Sequence, residues 1–193
     1  KRVLKRLDLT GRSLVALVSP GSCFVGLLAE IVLACDRSYI MVDEDGEYPL
    51  PAALCITETN FQSLPMSNDL SRLQTRFLGN DDALQRIQPY LDQLISAKKC
   101  EELGLVTFAL DESDWEDEIR IFLEERAAFS PDALTAMEAN LRFAGPETME
   151  TKIFGRLSAW QNWVFQRPNA AGESGALRRY GSGQKGFFDK ART

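Results

Sequence analysis

The sequence predicts an α/β fold followed by a mostly helical region, and three stretches carry that prediction. Leu14 to Val18 is a short apolar run ended by Ser19-Pro20-Gly21, which reads as a buried strand entering a turn; from Phe24 the apolar period becomes helical. The segment ISAKKCEELGLVTFALD, residues 95–111, reads as helix, glycine stop and strand, a unit typical of α/β folds. Beyond it, helix-start signals dominate, at Ser130-Pro131-Asp132 and Gly145-Pro146-Glu147.

Taken in order, KRVLKRLDL reads as the end of a helix. The chain starts at Lys1 rather than Met, so we expect a piece of a longer protein. The strand Leu14 to Val18 and a helix from Phe24 to Cys35 follow, then a second strand, Arg37 to Val42, and a polar insert, Asp43 to Glu47. Ala52 to Ile56 is a third strand, Thr57 to Asn68 a loop, and Leu70 to Phe77 and Ala83 to Leu94 short helices. Ser96 caps the helix AKKCEEL, Gly104 stops it, and Leu105 to Leu110 is the next strand. The acidic run Asp111 to Glu118 complements the start of a helix from Glu118 to Arg126. After Gly145, the residues Met149, Ile153, Phe154, Leu157, Trp160, Trp163 and Val164 form a wide apolar stripe, suited to core packing or to a subunit contact. From Arg167 onward lie five of the thirteen glycines and no long apolar run, which reads as a loop or arm. The expected division is 1–112 as an α/β core, 113–166 as helices covering it or meeting another subunit, and 167–193 as a basic, glycine-rich tail.

Composition narrows the chemistry. The chain has 193 residues and no histidine, which removes Ser-His-Asp and Cys-His nucleophiles, histidine-ligated metals and imidazole acid/base catalysis within it. Cys23, Cys35, Cys55 and Cys100 lie far apart with no CxxC pair, so no disulfide framework or zinc knuckle is indicated, no metal is expected, and a reducing cytoplasm fits. The net charge of −6 disfavours generic nucleic-acid binding. Residues 14–35 are long enough to raise the question of a membrane span, but Ser19-Pro20-Gly21-Ser22 and Glu30 interrupt them, so no membrane contact is expected.

Glu30 is the one charge in that apolar stretch. On a helix from Phe24, its neighbours on the same face are Gly26, Leu27, Leu33 and Ala34, none able to pair with a carboxylate. A carboxylate in such a place costs several kcal/mol or takes up a proton more readily, which makes a usable general acid or base. The other reading keeps Glu30 structural, paired with a backbone group or an arginine from elsewhere in the fold.

The run SLVALV, SPGSCFVG, LLAE, IVLACD resembles the crotonase (enoyl-CoA hydratase/isomerase) family, in which a strand, a glycine-rich turn and a helix carrying a catalytic Glu end in Ala-Cys-Asp. ISAKKCEELGLV is similar to the helix and Gly-Leu-Val unit late in that core, and TETNFQSLPMSNDLSRL to the loop with the second catalytic Glu. The resemblance implies the C-terminal half of a crotonase-like (ClpP/crotonase) spiral core, with Glu30 and Glu58 as catalytic pair. It also implies an acyl-CoA thioester substrate, its carbonyl oxygen held at the backbone N–H of Gly26 or Leu27, with the second donor upstream of this chain. The usual glycine run is here Val25-Gly26-Leu27-Leu28, a departure from ordinary hydratases.

The stretch ANLRFAGPETMETKIFGRLSAWQNWVFQRPNAAGE and the closing GALRRYGSGQK are similar to a ring-cleaving branch of that superfamily, active in aerobic benzoate degradation. For that branch the implied reaction is hydrolytic opening of 2,3-epoxybenzoyl-CoA with loss of formate to 3,4-dehydroadipyl-CoA semialdehyde, with no cofactor. Glu30 and Glu58 would activate water and move protons, with Asn60, Gln62 and Asn68 as possible polar support. Arg178, Arg179 and Lys185 are candidates for CoA phosphates but stay outside the expected site. The alternatives are a generic enoyl-CoA hydratase or isomerase and a non-catalytic acyl-CoA-binding subunit. The implied partners are the N-terminal half of the same protein, without which this piece is expected to be inactive, and further copies in a dimer or trimer.

Overall fold

The strand Arg37–Val42 (β3) lies at the centre of the first sheet, and its burial explains its composition. Five of its six residues are buried, as expected for a strand flanked by two parallel neighbours and covered on both faces. Val15–Val18 (β1) pairs with it in parallel, Val15 opposite Arg37 and Val18 opposite Ile40. Phe108–Asp111 (β6) pairs in parallel on the other side, with Tyr39 opposite Phe108 and Val42 opposite Asp111. A second sheet joins Phe24–Val25 (β2) to Ala53–Cys55 (β4) in parallel and β4 to Ile95–Ser96 (β5) in antiparallel fashion.

This computed structural model describes residues 1–142 and 144–191. They form two packed units, residues 1–8 with 13–120, and residues 9–12 with 121–193. The first holds both sheets and the helices Arg2–Asp8 (α1), Ala29–Leu33 (α2), Arg72–Arg76 (α3), Asp81–Ile87 (α4) and Ala97–Glu102 (α5). Its core is aliphatic, built on Val18, Val32, Ile40, Leu54, Ile56, Leu73, Ile87, Ile95 and Leu105. At ~1.5–3 kcal/mol for each large aliphatic side chain, this burial is what sets the elements around Glu30 against one another.

Glu112–Ala128 (α6) runs from the first unit into the second. Pro131–Leu141 (α7), Met149–Lys152 (α8), Ser158–Phe165 (α9), Pro168–Ala171 (α10) and Ala176–Arg179 (α11) belong to the second.

Several elements depart from the sequence reading. The expected helix from Phe24 is a two-residue strand, a turn, and a five-residue helix that starts only at Ala29, because Gly26 takes a left-handed φ of +48°. The acidic run does not precede its helix; α6 begins at Glu112 and absorbs it. The start expected at Gly145-Pro146-Glu147 falls instead at Thr148, whose hydroxyl accepts the Thr151 N–H, and a π-helical turn at Ile153–Leu157 interrupts the segment. The apolar stripe there is largely exposed, Met149 and Phe154 by 74% and 72%.

The tail is no loose arm: α10 and α11 pack together, and Asn169 and Asp189 bond each other twice, by the Asp189 N–H at 2.8 Å and the Asn169 amide at 3.3 Å. Among the described residues, no helix is long and apolar enough to cross a membrane.

Candidate active site

Glu30 is fully buried, with 0% exposure. The helix that carries it, α2, has no side-chain cap at Leu28 and lies under β1 and β2, neither of which supplies a titratable side chain. The partners of Glu30 come from far along the chain. Oε1 accepts a hydrogen bond from the Asn60 amide at 2.7 Å, and Oε2 accepts one from Nη1 of Arg72 at 2.6 Å. The expectation that this carboxyl lacks a partner is therefore overturned, and the arginine partner left open as the alternative is present. Both readings meet here: the group is dry and it is paired.

Arg72 is itself 2% exposed and stands at the first position of α3, behind a reciprocal cap. There Ser71 Oγ accepts the Gln74 N–H at 3.1 Å while Gln74 Oε1 accepts the Ser71 N–H at 2.8 Å. Its Nε and Nη2 grip Oδ1 and Oδ2 of Asp8 at 3.1 and 2.6 Å, a two-pronged pairing that fixes the guanidinium plane. Nη1 also donates to the Leu64 carbonyl at 3.2 Å. Asp8, 1% exposed, closes α1. The site thus sets two carboxyls against one guanidinium in a dry space.

Burial pushes the Glu30 carboxyl above the usual carboxylate range. The bonds from Asn60 and Arg72 and the charge of Arg72 oppose that rise, and the nearby charge of Asp8 adds to it.

Asn60 ties this cluster to the turn that carries Glu58. The 3₁₀ turn Glu58–Asn60 follows β4; Asn60 Oδ1 accepts the Thr57 N–H at 2.9 Å, and its amide also donates to the Gly26 carbonyl at 2.9 Å. With its donors spent on Gly26 and Glu30, Asn60 orients protein groups. Glu58 is exposed, two residues away on the same turn. Gln62 is exposed, and Asn68 accepts the Leu70 N–H at 3.3 Å in a local turn.

Of the two backbone donors expected near Glu30, Gly26 is committed: its N–H bonds the Cys55 carbonyl at 3.0 Å. Among the described residues, no acceptor takes the Leu27 N–H, and Leu27 is 56% exposed. Gly26 serves the site otherwise. A Cβ there would meet Thr57 Oγ1 at 3.1 Å, so both its φ and the close approach of Thr57 require glycine.

An open groove of about 1030 Å³ is lined by Val25, Leu50, Ala53, Leu94 and Lys98 among others, but not by Glu30 or Glu58. In the tail, Arg179 spends its guanidinium on the Lys185 carbonyl at 2.8 Å and on Ser174 at 3.3 Å, while Arg178 is exposed. Among the described residues, no cluster of His, Cys, Asp or Glu could hold a metal ion.

Arg72 and Asp8 were missed in the sequence. A signal for Asp8 exists: an acid at the last position of a helix opposes the helix dipole and asks for a partner.

Comparison with solved structures bears on the fold. An enoyl-CoA hydratase/isomerase from Mycobacterium paratuberculosis superposes with a TM-score of 0.68 at 13% identity, over 95% of this chain and 63% of that one. A second, from Cupriavidus metallidurans CH34, gives 0.61 at 20% identity, over 87% of this chain and 58% of that one. The fold is crotonase-like. Within this crotonase-like core, Glu30 follows the turn that carries Gly26. No family model matches the chain. A benzoyl-CoA-dihydrodiol lyase from Aromatoleum evansii is 51% identical over 189 residues, 98% of this chain. The chain spans about one third of that relative's length, 33%.

Proposed function

We propose that the protein containing this chain is a ring-cleaving lyase that opens 2,3-epoxybenzoyl-CoA with two waters, giving 3,4-dehydroadipyl-CoA semialdehyde and formate. One observation carries the reading: the 51% identity to a benzoyl-CoA-dihydrodiol lyase runs through 98% of the chain. The geometry fits the chemistry. Ring opening needs the thioester carbonyl to take up negative charge, and the open Leu27 N–H beside the start of α2 is a suitable donor for one side of that oxygen. The second donor belongs to the rest of the same protein.

Epoxide opening and carbon–carbon cleavage also need protons moved next to the ring. Glu30, dry and with its proton affinity raised by burial, is the group that gives and takes the proton. Glu58, exposed on the turn that Asn60 ties to Glu30, activates water from the solvent side. No cofactor enters the scheme. The free state of Cys23, Cys35, Cys55 and Cys100 and the CoA thioester substrate support a cytoplasmic protein, and the exposed apolar side chains Met149, Phe154 and Leu157 support a dimer or trimer.

The test is formate release from 2,3-epoxybenzoyl-CoA by the full-length protein. Turnover of crotonyl-CoA with none of the epoxide would replace this reading with a hydratase. Binding of both thioesters without turnover would replace it with an acyl-CoA-binding subunit.

A further inference from the structure

The Asp8–Arg72–Glu30 cluster has more order than an ion pair needs. Arg72 reaches Glu30 through Nη1 alone, because Asp8 holds both Nε and Nη2. Asp8 therefore fixes the plane of the guanidinium, and that plane fixes Glu30 Oε2. Asn60, from a third element, fixes Oε1. Each carboxyl oxygen of Glu30 is thus held at 2.6–2.7 Å by a donor whose own position is fixed by further bonds. All the side chains concerned are almost fully buried, so water does not compete.

We propose that Arg72 is a positioning residue for the reaction, setting the orientation of the Glu30 carboxyl, and that Asp8 acts through Arg72 by locking its guanidinium. The proposal rests on Glu30 being the acid/base group of the proposed lyase. A purely structural pair would need no second carboxylate; among the described residues two buried acids face the one guanidinium of Arg72, and burying acids in excess of their cation costs stability. That cost has a use if the excess charge keeps a proton within reach of Glu30. The charged groups acting on Glu30 are Arg72 from α3 and Asp8 from α1; β1, β2 and the remainder of α2 bring none.

The two neighbours therefore push the titration of Glu30 in opposite directions, which gives a signature that packing alone lacks. In the full-length protein, kcat for formate release from 2,3-epoxybenzoyl-CoA is measured against pH. Arg72→Met should lower kcat about 10²-fold with KM little changed, since the acid/base group loses its alignment. The pH limb assigned to Glu30 should move up in Arg72→Met and down in Asp8→Asn, and Arg72→Lys should restore part of kcat. Should Arg72→Met not fold by circular dichroism, Asp8→Asn decides alone, and a limb that stays fixed or rises overturns the proposal. Retention of kcat within about threefold in a folded Arg72→Met would overturn it as well. If Glu30→Gln keeps full activity, the lyase reading of Glu30 fails instead. If Glu30→Gln is inactive while the limb ignores both neighbours, only the present proposal fails.

Discussion

Two buried carboxylate clusters in this chain meet arginine in opposite proportions. In the first unit, Glu30 and Asp8 share the single guanidinium of Arg72. In the second, Glu138 alone is held by two, those of Arg126 and, at 3.8 Å, Arg142. Both glutamates are almost wholly buried, at 0% and 1% exposure. Among the described residues, two guanidiniums face Glu138, and its ion pair with Arg126 braces α6 against α7. Around Glu30 the acids are in excess, burial outweighs the paired donors, and the carboxyl is left more ready to take a proton. Burial of an acid is therefore not by itself a mark of chemistry; what surrounds the buried group has to be read with it.

The largest effect that would break this contrast lies at Glu30. Glu30→Gln keeps the shape and one of the two accepted hydrogen bonds yet removes the transferable proton, so formate release should fall roughly 10²–10⁴-fold, as for loss of a general acid or base. Assay of the purified full-length variant against the parent, with circular dichroism as a check on folding, reads this directly. Next in size is the stability lost with Arg72→Met. That change leaves two buried acids without a cation, and should cost about 3–5 kcal/mol in a urea unfolding curve.

Glu138→Gln should be milder, about 1–3 kcal/mol by the same measurement, since the partly exposed Arg126 can find water. Formate release should not change in that variant, and a loss comparable to Glu30→Gln would erase the distinction between the two sites.

The smallest effect is a pH dependence. Because the folded-state affinity of Glu30 for a proton is raised above its unfolded value, its contribution to stability is full below the ordinary glutamate range, about pH 4.3, and is lost as pH rises through the raised value. Unfolding curves of the parent and of Glu30→Gln, taken from pH 4 upward to about pH 8, should diverge in that sense. A parent that gains stability relative to Glu30→Gln as pH rises would refute it.

Much of the architecture was legible along the chain. Arg37–Val42 was read to the residue because Tyr39 to Val42 form a continuous β-favouring run, and Ser96 and Ser130 flank α5 and α7 as expected. The isolated acid in an apolar run marked Glu30, since such a run offers it no local neighbour. What went wrong was local where backbone geometry overrode periodicity: the left-handed turn at Gly26 replaced the first turn of the expected helix.

By itself, then, the sequence determined that Glu30 lies in an apolar stretch, that Arg37–Val42 is a strand, and which chemistry lacks a histidine to perform it. Only the tertiary structure decided who faces Glu30. Asp8, Asn60 and Arg72 stand 22, 30 and 42 positions away from it. Hydrophobic burial of α2 and α3 is non-directional and short-ranged in sequence terms, and it brings such distant groups together only once the sheets have closed. The proton affinity of an acid depends on charges a few ångströms away in space, and no spacing along the chain encodes that distance.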